Sequence, residues 1–252
     1  MNLLIDFGNT RLKWALAVDG RARPGGVFAH VGVPLAVELR REWGELVGID
    51  AVFVASVVSA AREAELEAFV RERLHCRVHF VRSPAAALGI RNAYAEPQRL
   101  GVDRFLALAA AHARKPRLQV LVSAGTALTV DAIDATGEHL GGLIVASPPQ
   151  MRKALLAATA RVDAPGGHLR ELPRSTADAV VSGSLYAAAG AIDRFRDNVA
   201  RRCGASPPLL LGGGGGDELE TLLEPLERVH DLVLHGLALW AQAPAGGDDT
   251  QA

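Results

Sequence analysis

Cysteine is nearly absent from this 252-residue sequence: Cys76 and Cys203 are its only two, and neither has a CxxC companion. That excludes a disulfide framework and a cysteine zinc site. Lysine occurs only at 13, 115 and 153, the basic residues are scattered, and Lys+Arg 27 against Asp+Glu 28 leaves a net charge of −1. With no basic stripe, no nucleic-acid partner is expected. Long apolar runs are missing too. The longest, "FLALAAA" and "LYAAAGAI", fall short of the roughly 18 to 20 residues a bilayer requires, so no membrane partner is expected. The first strand begins at residue 2, which leaves no room for a signal peptide, and a cytoplasmic protein is expected. The motif GxxxxGK[ST] is absent, and the five glycines at 212–216 are followed by Asp217 where a dinucleotide fingerprint needs its last glycine. His75 and His79 have no third ligand nearby and straddle a helix-to-strand turn, so they do not read as a metal site.

What is present is a repeat. The chain opens "MNLLIDFGNTRLKW", and from Leu121 it reads "LVSAGTALTVD". Laying Asp6 on Ser123 puts Gly8 on Gly125, and both offsets are 117 (123 − 6 and 125 − 8). Each copy reads as an apolar strand, a loop around a glycine, and a second strand with alternating burial. Further strands fit "GGVFAHVG", "AVFVASVVS" and "RVHFV", with helices at 35–46 and over "AREAELEAFVRERL". A helix is expected over 99–115, stopped by Pro116 and bridging two halves. The second half repeats three strands, "LQVLVSA", "TALTVDAI" and "HLGGLIVA". Helices at 149–161 and 176–202, the strand "PLLL" and a last helix near "LVLHGLALWAQ" complete it. Strands alternating with helices after an opening hairpin predict an α/β fold with mixed sheets. The expected divisions are 1–115, 116–242 and a disordered polar tail at 243–252.

A strand ending in Asp-x-Gly places a carboxylate beside exposed backbone N–H groups. Gly8 removes the Cβ that would hold a phosphate away, Asn9 and Thr10 supply donors, and Asp6 can hold Mg²⁺ through water. Lys13 alternates onto the strand face opposite Trp14, where its ammonium can follow a phosphate charge. A plain hairpin turn with an Asx cap and a surface lysine would use the same residues.

Four segments in order, "DFGNTRLKW", "YAEPQRLGVDR", "SAGTALTVD" and "STADAVVSG", resemble the type III pantothenate kinases over about residues 2–240. These belong to the acetate and sugar kinase, Hsp70 and actin superfamily. The resemblance implies two duplicated ribonuclease H-like (actin-like ATPase) domains with mixed five-stranded sheets flanked by helices and an ATP cleft between them. It implies phosphorylation of pantothenate to 4'-phosphopantothenate, the opening step of coenzyme A synthesis. By resemblance, Asp6, Phe7, Gly8, Asn9, Thr10, Arg11, Leu12 and Lys13 form the first ATP phosphate loop, and Thr126 touches the phosphates from the second. Tyr94, Gly101, Val102, Asp103, Arg104 and Thr176 would line the pantothenate pocket, with Asp103 as base. A first-turn helix charge and an ordinary solvated arginine are the local alternatives for Asp103 and Arg104. The resemblance also implies Mg²⁺ with ATP, a K⁺ or NH₄⁺ activator and a homodimer. Many relatives carry Asp where this chain has Ser123, so the monovalent-cation site is expected to be weakened. "GGLIVASPPQM" departs from the family pattern at Ser147 and Pro148, and the glycines at 212–216 read either as a turn close to adenosine or as a floppy surface turn. Two rival functions stay open: a non-catalytic nucleotide-binding accessory factor for transcription, and a related kinase for another hydroxyl substrate.

Overall fold

The computed structural model describes residues 1–159 and 165–243. The tail expected at 243–252 lies outside the described residues apart from Ala243, as does the end of the helix expected to reach Arg161. The chain divides into two compact units. Unit 1 comprises Met1–Pro116, Ala135–His139 and Asp231–Ala252, and unit 2 comprises Arg117–Asp134 and Leu140–His230.

In unit 1, β1 (Asn2–Phe7), β2 (Arg11–Val18) and β3 (Arg21–Ala29) run antiparallel in sequence. After α1 (Leu35–Trp43) come β4 (Ala51–Ser56), α2 (Ala60–Arg73) and β5 (Arg77–Val81), whose strands add in parallel. The sheet order is β3-β2-β1-β4-β5. Period-2 alternation separates its faces. Leu3, Ile5, Phe7, Leu12 and Trp14 join Trp43 and Phe69 in a core under α1 and α2, leaving Asp6 and its cross-strand partner Lys13 on the other face. The third strand starts four residues earlier than "GGVFAHVG" suggests, because a bulge at Trp14/Ala15 lets the pairing run through Pro24. A two-stranded ribbon, β6 (Ala86–Ala87) with β7 (Ile90–Arg91), and a 3₁₀ turn at Pro97–Arg99 precede α3 (Val102–Arg114). The helix expected from residue 99 starts later, since Leu100 and Gly101 are extended.

Unit 2 repeats the plan. Strands β8 (Gln119–Ala124), β9 (Ala127–Ile133) and β10 (His139–Ala146) are followed by α4 (Pro148–Ala158), α5 (Thr176–Cys203), β11 (Leu209–Gly212), α6 (Asp217–Glu220) and β12 (Leu226–Arg228). The sheet order β10-β9-β8-β11-β12 is the order of unit 1, and β11 runs parallel to β8 as β4 does to β1. Its core gathers Val120, Val122, Leu128, Leu185 and Ile192.

The last helix, α7 (Leu232–Gln242), belongs to unit 1 and packs on α3 and β1. Phe105 meets Trp240 edge to face at 6.5 Å. At Gly236 the helices come so close that an added Cβ would lie 2.3 Å from the Leu106 carbonyl oxygen. Alanine is the better helix former by about 1 kcal/mol, so the sign of a substitution reports which effect wins. We expect Gly236→Ala to lower unfolding free energy in urea by about 1–3 kcal/mol, the usual cost of overpacking. A gain in stability would mean that the approach is not a packing constraint.

Candidate active site

The β1–β2 turn is closed by a Gly8 N–H donating to the Arg11 carbonyl at 3.1 Å, enclosing residues 8–11 between the pair Phe7 and Leu12. Gly125 closes its turn onto Ala127 at 3.0 Å between Ala124 and Leu128, one residue shorter. The shortening places Thr129 opposite Ser123, where the first copy has Lys13 opposite Asp6. A carboxylate–ammonium pair in unit 1 is thus a pair of hydroxyls in unit 2.

Among the residues singled out in the first loop, Phe7 and Leu12 have side chains wholly inside the core, which leaves them only backbone atoms to offer a ligand. Asn9, Thr10 and Arg11 are exposed. Lys13 is half-buried, with its Nζ 3.5 Å from Oδ1 of Asp231, the left-handed residue that opens α7. Asp231 carried no signal beyond that of a helix start. Only the return of α7 onto the first sheet gives it a place here.

Asp103 and Arg104 sit in the first turn of α3, with Gly101 and Val102 immediately before them. The Arg104 N–H donates to Asp103 Oδ1 at 2.9 Å. Arg104 is not a solvated surface arginine: it is 5% exposed, its Nη1 donates to the Tyr94 hydroxyl at 3.0 Å, and its guanidinium lies 5.8 Å from the Tyr94 ring centroid. Tyr94 in turn stacks on His139, with ring centroids 6.1 Å apart. His139 was not singled out in the sequence, because it looked like an ordinary strand-opening residue.

In unit 2, Ser123 and Thr126 are exposed, and Thr176 begins α5 behind a Ser175 N-cap that accepts from Asp178 N–H. Ser147, one of the departures from the family pattern, is buried and donates to the Thr126 carbonyl at 2.9 Å, bracing the second loop. The 212–216 glycines are not floppy. Gly213 has φ 87°, a Cβ there would lie 2.3 Å from the Ala124 carbonyl oxygen, and Gly215 N–H donates to that oxygen at 3.0 Å.

Asp6 is the electrostatic centre of unit 1. Burial, then the Asp103 and Asp231 carboxylates, push its carboxyl up to about 7 against the opposing pull of Lys13. Its surroundings suit a cation: one half-buried carboxylate with two more within electrostatic reach. Among the described residues no three His, Cys, Asp or Glu side chains are grouped so as to hold a metal ion by themselves.

The raised value has a consequence for the free protein. Between pH about 4 and 7 the folded state holds a proton that the unfolded state gives up, so this contribution to stability is full below pH 4 and lost as pH rises through 7. Asp6→Asn should therefore be more stable than the parent at pH 8, by up to about 4 kcal/mol, and no more stable at pH 4. Urea titrations at both pH values measure this, and equal stability at pH 8 would refute it.

Comparison with known proteins gives the family and the fold. The sequence model of the type III pantothenate kinases matches residues 2–198. A type III pantothenate kinase of Stenotrophomonas maltophilia is 42% identical over 246 residues, covering 96% of this chain and 98% of its own. That of Thiobacillus denitrificans is 38% identical over 251 residues, covering 97% and 98%. Among solved structures, a Campylobacter jejuni protein described as a Baf family transcriptional activator superposes with a TM-score of 0.58 at 20% identity, covering 93% of this chain and 94% of its own. The PilM–PilN type IV pilus biogenesis complex gives 0.51 at 15% identity, covering 96% and 99%. At those identities the likeness is one of fold alone, an α/β fold with two mixed five-stranded sheets. By the family match over most of its length and by its full-length relatives, the chain belongs to the type III pantothenate kinase family.

Proposed function

We infer that the chain transfers the γ-phosphoryl group of ATP to pantothenate, the reaction for which its family is named, with Asp103 as the base. The observation that carries the residue assignment is the gathering, within unit 1, of Asp103, buried Arg104 and Tyr94 with Asp6 and Lys13. The acceptor is a primary alcohol and the substrate also carries a carboxylate. Arg104, held by Tyr94, is suited to that carboxylate through its planar fork of donors. Asp103 accepts the hydroxyl proton while the oxygen bonds to the γ-phosphorus and the bond to the β,γ-bridging oxygen breaks, releasing ADP. Gly101, Val102 and Tyr94 line the pantothenate pocket in this reading, and the loop from Asp6 to Lys13 holds the phosphates, with Lys13 exchanging Asp231 for a phosphate oxygen. For Thr126 and Thr176 of unit 2, the nucleotide and pantothenate roles rest on the family resemblance alone. Mg²⁺ bound with ATP would neutralise charge on the β- and γ-phosphate oxygens, held through water by Asp6. These substrates imply work in the cytoplasm.

Ser123 offers an exposed neutral hydroxyl, and Thr129 opposite it adds no charge, so we assign this chain a weak dependence on K⁺ or NH₄⁺. A homodimer is the proposed assembly. Its support is a set of exposed apolar residues in unit 2: Leu143 and Ile144 on β10, Leu155 and Leu156 on α4, and Tyr186 on α5.

The deciding experiment follows ADP release from Mg·ATP with and without pantothenate, in Na⁺, K⁺ and NH₄⁺ buffers. Pantothenate-dependent release in Na⁺ alone is expected, with K⁺ adding less than about twofold, since a neutral site lacks the charge that binds the cation. Strict K⁺ dependence would overturn the reading of Ser123, and no release in any buffer would overturn the kinase. Asp103→Asn should lose about 10²–10⁴-fold in turnover, the usual worth of a general base, while still binding Mg·ADP. For the assembly, light scattering should give a dimer for the parent and a monomer for Ile144→Asp. An unchanged mass in the variant would remove β10 from the interface.

A further inference from the structure

The first phosphate loop has an exposed tip, yet a phosphate-binding turn is useful only if its N–H groups are already aimed. One buried side chain grips this turn. Phe28 and His30 follow the same alternation at the end of β3 and beyond it, and His30 is 3% exposed, edge-on to Phe7 at 5.0 Å. It holds the loop on both sides of Asn9. Its Nε2 is 2.8 Å from the Gly8 carbonyl oxygen, and its backbone N–H donates to the Thr10 carbonyl at 3.3 Å.

The tautomer follows from chemistry. Arg62 Nη2 lies 3.0 Å from His30 Nδ1 and also donates to the His30 carbonyl at 2.6 Å, while its Nη1 donates to Glu65 at 2.8 Å. A guanidinium has donors and no acceptor, so Nδ1 must present its lone pair and the proton must sit on Nε2. That N–H then donates to the Gly8 oxygen. Because a trans peptide points its C=O and N–H in opposite directions, fixing the Gly8 oxygen on His30 turns the Asn9 N–H away from the core, at an exposed residue.

We propose that His30, locked as its Nε2–H tautomer by Arg62, is the positioning residue that aims the Asn9 N–H of the first loop at the nucleotide phosphates. The inference rests on the reading of that loop as a phosphate grip, and it concerns nucleotide affinity rather than the transfer step. Glutamine at this position can reproduce both bonds, since its amide carries a donor and an acceptor. Alanine can reproduce neither.

The test compares the parent with His30→Ala, His30→Gln and Arg62→Leu, using Mg·ADP titration calorimetry, the KM values for ATP and pantothenate, and thermal melting. His30→Ala should weaken Mg·ADP binding and raise the KM for ATP about tenfold, the scale of one misaligned hydrogen bond to a charged group, with the KM for pantothenate unchanged. His30→Gln should recover most of that loss. Arg62→Leu, on a side chain that is 23% exposed, should weaken Mg·ADP about threefold by freeing the tautomer, and it decides the matter should His30→Ala fail to fold. Parent-like Mg·ADP affinity in folded His30→Ala, or in Arg62→Leu, would overturn the proposal. So would a loss in melting temperature with nucleotide affinity intact. Mg·ADP binding by a parent protein that never turns over pantothenate would sink the kinase reading and leave this one standing.

Discussion

The approach of α7 to α3 at Gly236 is what brings Asp231 and Asp103 within electrostatic reach of Asp6. Each carboxylate sits at the start of its helix or the end of its strand, where chain direction changes and side chains are freest to converge. Bringing the Asp103 and Asp231 carboxylates within reach of a partly buried Asp6 is costly, and hydrophobic burial across Phe105, Leu106, Leu234 and Leu237 offsets that cost. The raised Asp6 carboxyl is the mark of that cost.

The two halves solve the same backbone problem with different electrostatics. Sheet order, strand direction and the turn-closing bond from glycine are shared, so the duplication is one of architecture. The loss of one turn residue in unit 2, together with Asp-to-Ser at position 123, leaves a neutral cross-strand pair where unit 1 has an ionic one. The charged grouping of Asp6, Lys13 and Asp231 lies in unit 1, while the loop of unit 2 is braced by Ser147 and Gly215.

Much of this was legible in the sequence because it is local. The apolar run "NLLIDF" and the alternation along "RLKWALAV" located both strands to the residue, and the 117-residue offset foretold two like sheets. Local rules failed where partners were distant or irregular. Pro24 hid the start of β3, since the bulge that accommodates it, at its neighbour Gly25 opposite Trp14/Ala15, has no local signature. Leu100 and Gly101 delayed α3. Asp231, His139 and Arg62 gave no warning, because their roles depend on elements meeting from far apart in the chain. For His30 a signal existed: its spacing of two from Phe28 places it on the inward face, where a histidine needs partners for its ring nitrogens.

That α7 completes unit 1 bears on how the protein is made. A ribosome delivers the first sheet early, but the helix that covers its Asp6 face emerges only after all of unit 2 has been synthesised. Until then Leu4 and the apolar side of α3 face water, and the nascent chain carries an unfinished domain for as long as it takes to add more than a hundred residues. Unit 2, by contrast, has its whole sequence available before that helix appears, so the order of synthesis and the order of domain completion are reversed.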